Sequence, residues 1–214
     1  MLIAPSVLAA DFSRLGDEIE KVTAAGADWI HLDVMDGQFV PNLTFGAPII
    51  QSVRNRTSIP FDVHLMVINP EKLLMDFIDA DADYITVHIE ATQNIDTVLK
   101  ILKGRGVKTG ISLNPNTSID SILPYLPELD MVLIMSVEPG FGAQKFMDSV
   151  IPKIKKLKEI RDADPKLHYL IEIDGGINNN TIGKVKDLVD VVVAGSFIFK
   201  GADYSVPIKQ LKGE

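Results

Sequence analysis

An alternation that runs the length of the chain most constrains its fold. Short runs rich in β-branched residues are separated by longer stretches of helical periodicity. The runs near residues 2–8, 28–34, 61–67, 83–89, 107–113, 130–136, 168–174 and 190–194 read as strands. Phe12 to Ala25, Glu71 to Asp79, Thr92 to Lys103 and Phe146 to Ala163 read as amphipathic helices, and Pro115 to Pro127 as one or two short turns. Strands that alternate with helices pair in parallel, because each helix carries the chain back to the starting end of the sheet. Eight units in 214 residues take roughly 27 residues each, near the lower limit for an eightfold barrel. An open doubly wound sheet needs a Gly-rich loop after its first strand, and Ala9-Ala10-Asp11-Phe12 supplies none. The expected fold is an α/β single (β/α)8 barrel of the TIM type, parallel and eight-stranded with outer helices, spanning residues 1–214 as one domain.

Composition narrows the chemistry. The chain has no cysteine, which excludes a disulfide framework, a Cys-ligated metal and a catalytic thiol. The net charge of −8 argues against nucleic acid as a partner. Any bound anion must then be held locally, by backbone amides or a few side chains. The apolar start, Met1 to Leu8, lacks a basic flank and is too short to cross a bilayer, so a soluble cytoplasmic protein is expected.

In a parallel barrel the chemistry gathers at the carboxyl ends of the strands. The second strand ends His31-Leu32-Asp33-Val34-Met35, and residues two apart share a face. His31 and Asp33 therefore point together into the barrel mouth, while Ile30, Leu32 and Val34 face the helices. His64 lies near the end of the third strand and Asp174 at the end of the seventh. Two imidazoles and two carboxylates converging on one mouth suit a divalent cation, Zn, Fe, Mn or Co. A single His or Asp at a strand end is more often a hydrogen-bonded structural residue, but four at corresponding positions weaken that reading. Ser6 could donate to a substrate oxygen. His88 and Glu90 share a face and either line the site or pair with each other. Glu172, one layer below Asp174, is expected to make structural hydrogen bonds. Met35, Met66 and Met135 fill core or form an apolar lid. The basic run Lys153, Lys155, Lys156 and Lys158 reads as a solvated helix face.

Glycine-containing loops follow the last three strands: Gly140-Phe141-Gly142-Ala143, Gly175-Gly176 and Gly195-Ser196. Glycine lets backbone amides approach an anion, and barrels recurrently bind phosphate after strands seven and eight.

These motifs resemble the ribulose-phosphate 3-epimerase family. The resemblance runs through Ala4-Pro5-Ser6, His31-Leu32-Asp33-Val34-Met35-Asp36-Gly37, Val63-His64-Leu65-Met66, Glu138-Pro139-Gly140-Phe141-Gly142, Asp174-Gly175-Gly176-Ile177 and Ala194-Gly195-Ser196. It implies interconversion of D-ribulose 5-phosphate and D-xylulose 5-phosphate in the pentose phosphate pathway. It implies that His31, Asp33, His64 and Asp174 ligate one divalent cation. Asp33 and Asp174 would also act as the acid–base pair on opposite faces of the substrate, through an enediolate. Ser6 and His64 would contact the sugar. Gly140, Phe141, Gly142, Ala143, Gly175, Gly176, Gly195 and Ser196 would hold its phosphate end. Ala143 stands where the family usually has glycine; alanine keeps the N–H but disfavours positive φ.

The expected partners are a small-molecule sugar phosphate and further copies of the chain in a homo-oligomer, with no nucleic acid and no membrane. A sibling epimerase acting on D-allulose 6-phosphate and a non-catalytic sugar-phosphate-binding barrel are the alternatives. A Schiff-base aldolase would need a lysine aimed into the mouth, and none lies at a strand end.

Overall fold

The computed structural model describes residues 1–214. Its strands are β1 (Leu2–Pro5), β2 (Ile30–Met35), β3 (Phe61–Met66), β4 (Tyr84–His88), β5 (Lys108–Leu113), β6 (Met131–Met135), β7 (Leu170–Asp174) and β8 (Val191–Ala194). All pair in parallel in the order β1-β8-β7-β6-β5-β4-β3-β2. The seam between β1 and β2 is closed more sparsely. Ser6 and His31 form a single parallel bridge, and Asp28 N–H donates to Ile3 O at 2.9 Å. The expected barrel is therefore present, with eight strands in chain order.

The helices are α1 (Leu15–Ala24), α2 (Ala47–Val53), α3 (Leu74–Asp79), α4 (Ile95–Gly104), α5 (Ile151–Ala163), α6 (Ser196–Phe199) and α7 (Ser205–Lys212). Several start later than their periodicity suggests. Short 3-10 turns at Phe12–Arg14, Pro70–Lys72 and Asp148–Val150 occupy the first residues of the expected stretches. Pro70 cannot donate a backbone hydrogen bond, and Asp11 ties its carboxylate to Ser13 N–H, so both favour a tight turn before the helix proper. Pro115 to Pro127 contains only 3-10 turns, at Ile119–Ser121 and Leu123–Glu128.

Strand one ends at Pro5 rather than continuing to Leu8, because Val7–Ala9 turns into a 3-10 helix. Ser6 sits at that break, at the rim of the barrel.

The main core lies between barrel and helices. Ile30, Leu32 and Val34 from β2 join it, with Ile19, Leu99 and Leu157 from the helices. A smaller plug of Ala4, Trp29, Met131, Val191 and Val193 fills the barrel interior. Polar side chains occupy the rest of that interior: His31, Asp62, Thr86, Ser112 and Glu172 are all fully buried. Buried polar groups cost free energy unless paired. The barrel therefore spends stability on this polar interior, next to the site described below. No helix is long and apolar enough to cross a membrane.

Candidate active site

A cavity of about 900 Å³ opens at the carboxyl ends of the strands. Ser6, Asp33 and Asp174 line it, as do Met35, Met66 and Met135. So do Gly140, Phe141, Gly142 and Ala143, with Gly175, Gly176, Gly195 and Ser196. His31 and His64 lie just beneath, fully buried.

Parallel register builds the polar floor. Asp33 of β2 lies opposite His64 of β3, and the Ser6–His31 bridge brings β1 alongside. His31, Asp33, His64 and Asp174 each offer a ligand atom, and these four atoms lie within 4.8 Å of one another. His31 Nδ1 is 2.5 Å from Asp62 Oδ2, so a neutral His31 donates its proton there. Its Nε2 then presents a lone pair, has no hydrogen-bond partner, and sits 3.3 Å from Asp33 Oδ1. His64 Nδ1 reaches the same Asp33 oxygen at 3.2 Å. Two imidazole nitrogens and two carboxylates converging on one point make a donor set that fits a divalent cation.

The charges respond accordingly. Burial opposes charge on His31, but Asp33 and Asp62 outweigh it and raise its pKa well above the ordinary histidine value. A proton can thus stand in the cation's place. Burial lowers the His64 pKa to about 4, with Asp33 opposing that shift. Asp33 is buried too, yet the His31 charge and hydrogen bonds from both histidines hold it firmly as a carboxylate. Asp174 goes the other way: burial, then the Asp33 charge, raise its pKa to about 7. The two carboxyls facing the cavity are pushed apart, one ionised and one ready to carry a proton.

Backbone ties hold each group in place. Thr44 Oγ1 donates to Asp33 O at 2.7 Å and accepts from Met35 N–H at 3.0 Å, which fixes the end of β2. Ser136 Oγ donates to Asp174 O and Gly175 O at 2.8 and 2.7 Å, which fixes the end of β7. Across the mouth, the N–H groups of Gly176, Gly195 and Ser196 donate to no backbone acceptor. Gly176 adopts φ +65°, and a Cβ there would meet Phe146 N at 2.4 Å. Two glycine-bearing loops pack together at that contact. Ala143 adopts φ 60°, the left-handed conformation that its side chain disfavours.

Residues 2–199 match the family described as the Ribulose-phosphate 3 epimerase family. The Bacillus subtilis ribulose-phosphate 3-epimerase is 45% identical over 212 residues, covering 99% of this chain and 98% of the relative. Its Aquifex aeolicus counterpart is 46% identical, covering 99% and 95%. The chain belongs to the ribulose-phosphate 3-epimerase family. This epimerase is an isomerase acting on carbohydrates. The fold is more widely shared. A mutant tryptophan synthase alpha-subunit from Pyrococcus furiosus superimposes with a TM-score of 0.73 at 15% identity, covering 100% and 97% of the two chains. A 3-hexulose-6-phosphate synthase from Salmonella typhimurium gives 0.72 at 18%, covering 100% and 97%.

Three side chains differ from what their sequence positions suggest. The Ser6 hydroxyl donates to Asp33 Oδ2 at 2.5 Å rather than standing free for a substrate, because the β1–β2 bridge sets it beside that carboxylate. Glu172 is fully buried and, as an ionised carboxylate, has no donor, so it pairs with Asp62 only when protonated; its Oε1 lies 3.9 Å from His31 Nδ1. Burial and the Asp62 charge raise its pKa well above the ordinary carboxylate value. Lys153 is half-buried rather than part of a fully solvated face, and its Nζ donates to Asn114 O and Pro115 O at 2.9 and 3.0 Å. Of its two expected roles His88 takes the second: it does not line the cavity but pairs with Glu90, and also with His64. The methionines are buried wall rather than a cover: Met35 and Met66 pack with Val40, and Met135 with Leu133 and Val137. Asn42, Asn178 and Lys200 also line the cavity. Their loop positions carry no periodic signal that would mark them.

Proposed function

We propose that Asp33 and Asp174 interconvert D-ribulose 5-phosphate and D-xylulose 5-phosphate by moving the C3 proton from one face to the other. The opposed protonation of these two carboxyls in one cavity carries the reading. In the direction the metal-free charges favour, ionised Asp33 removes the proton from C3 and protonated Asp174 returns one on the opposite face. The reverse reaction exchanges the roles. Asp33 comes from β2 and Asp174 from β7, with β1 and β8 between them, so they approach a bound sugar from separate sides. General acid–base catalysis of this kind is worth about 10²–10⁴-fold per group.

His31, Asp33, His64 and Asp174 would hold the divalent cation, which supplies positive charge to stabilise the enediolate. The all-nitrogen-and-oxygen donor set suits Zn, Fe, Mn or Co. Ser6 holds Asp33 in orientation and is within reach of the sugar, together with His64. The free amides of Gly176, Gly195 and Ser196, with the Gly140 to Ala143 loop, bind the phosphate. They do so without a cluster of cationic side chains, as an acidic protein requires. Met35, Met66 and Met135 keep water from the reacting carbon. Residues 1–214 act as one domain, in the cytoplasm. Copies of the chain associate, with Phe12, Leu43 and Ile49 exposed as apolar contact surface.

The deciding experiment combines an epimerase assay with exchange of the C3 hydrogen into deuterated solvent. Asp174→Asn is expected to lower turnover by at least about 10²-fold. Near-normal turnover in that variant, with cation still bound, would overturn the two-carboxylate assignment. Comparing kcat/KM on D-allulose 6-phosphate tests the substrate preference. Binding of the pentose phosphate without any C3 exchange would instead mark a non-catalytic barrel.

A further inference from the structure

A chain of contacts leads away from the cation cluster through β4. His64 Nε2 lies 2.8 Å from His88 Nε2, and His88 Nδ1 lies 3.3 Å from Glu90 Oε2. His64 and His88 are both fully buried, and neither lines the cavity. Glu90 is itself held, since its Oε1 accepts from Asn114 N–H at 2.9 Å. Lys153 in turn pins the Asn114 and Pro115 carbonyls.

With a cation in the cluster, His64 Nδ1 cannot donate to Asp33, and donor and acceptor counting gives this chain one direction. An ionised carboxylate only accepts, so Glu90 requires the proton of His88 on Nδ1. Neutral His88 then has a lone pair on Nε2, which must accept. His64 must therefore carry its proton on Nε2 and present the Nδ1 lone pair. That Nδ1 is the atom 3.2 Å from Asp33 Oδ1, inside the cation cluster. The Glu90 pKa is lowered to about 2, against burial, by hydrogen bonds from His88 and Thr117, consistent with an ionised terminus.

We infer that Glu90 and His88 are positioning residues that lock His64 in the tautomer and ring orientation required to ligate the cation through Nδ1. They touch neither substrate nor cation. The inference rests on the proposed cation site and adds two residues to it. It also explains why a third buried histidine and a carboxylate outside the cavity stand in line with the site. Such outer partners characteristically change metal affinity by about 10–100-fold.

Two measurements test it on the full-length protein. The first is the protonation of the imidazole nitrogens in the unaltered protein titrated with zinc, read by long-range ¹⁵N–¹H NMR. The expected result is a proton on His64 Nε2 and on His88 Nδ1, with zinc on His64 Nδ1. Zinc on His64 Nε2 overturns the inference. Imidazole signals that zinc leaves unmoved overturn the cation site itself, and the inference with it. The second is zinc affinity by chelator competition. Glu90→Ala and His88→Ala should each weaken binding by about 10–100-fold, and Glu90→Gln, whose one amide oxygen can accept from either His88 or Asn114 N–H, should lose no more than Glu90→Ala. Unchanged affinity in both alanine variants overturns the positioning role. The NMR result needs no variant and stands even if His88→Ala fails to fold.

Discussion

Replacing Gly176 by alanine tests how the phosphate side of the cavity is built. The residue adopts φ +65°, which costs an alanine about 1 kcal/mol. The added Cβ would also lie 2.4 Å from Phe146 N, 2.9 Å from Phe146 Cα and 3.0 Å from Gln144 O. These are backbone atoms, so the loop after β6 must move as a whole. Overpacking of this kind costs about 1–3 kcal/mol. The combined penalty is about 2–4 kcal/mol. Gly106 provides the matched control. It adopts φ +74° with nothing within 4 Å of a Cβ, and so carries the dihedral cost alone. Gly106→Ala should lower Tm by about 2–4 °C, and Gly176→Ala by two to four times as much. Because the displaced loop lines the cavity, Gly176→Ala should also raise KM for D-ribulose 5-phosphate at least about tenfold, a cost of ~1.4 kcal/mol. Its kcat should change less, since neither carboxylate is altered. Differential scanning fluorimetry and a coupled epimerase assay read both quantities. A Gly176→Ala protein that melts with Gly106→Ala and keeps the original KM would refute the tight contact between the two loops.

Ala143→Gly relieves the left-handed strain in the cavity loop and should stabilise the protein by about 0.5–1 kcal/mol, net of the greater freedom of glycine when unfolded. Equilibrium urea unfolding checks it, and a loss of stability would contradict the strain. For cation-free protein, the raised pKa values of Asp174 and His31 mean that the folded state holds protons more tightly than the unfolded chain. The Asp174 contribution is complete below its unfolded value of 3.8 and lost as pH rises through about 7. His64, lowered from 6.5 to about 4, opposes this until pH 6.5, so Tm with chelator present should fall chiefly as pH rises from there through about 7. Cation binding must displace those protons, and it should release more of them below the Asp174 value of about 7 than above it. Calorimetry in buffers of different ionisation enthalpy counts them, and a release that does not vary with pH would contradict the assignment. Ser6→Ala removes the hydroxyl that donates to Asp33 Oδ2 and should lower kcat about tenfold with little change in Tm. An unaltered kcat would show that Asp33 needs no such support.

The barrel was legible because it is written in periodicity. Each strand buries both faces, so its alternation is local, and eight local signals in order admit few topologies. The same rule put His31 and Asp33 on one face, and placed His64 and Asp174 at matching strand ends. Helix starts were less legible, because turns such as Pro70–Lys72 and Asp148–Val150 continue a helical pattern with tighter geometry.

The amino-acid sequence by itself determined the architecture, the identity of the ionisable groups at the mouth and the family. Period-two alternation tells which face a side chain takes, but not which side chain from a distant strand it will meet. Tertiary structure alone decided those meetings. Register across the β1–β2 seam turned the Ser6 hydroxyl onto Asp33. Pairing of β3 with β4 brought His64 to His88, 24 residues away in the chain. Burial and neighbouring charge then separated two chemically identical aspartates, leaving Asp33 ionised and raising Asp174 to about 7. A carboxyl's protonation depends on the charges and solvent within a few ångströms of it, and those are set only when the barrel closes.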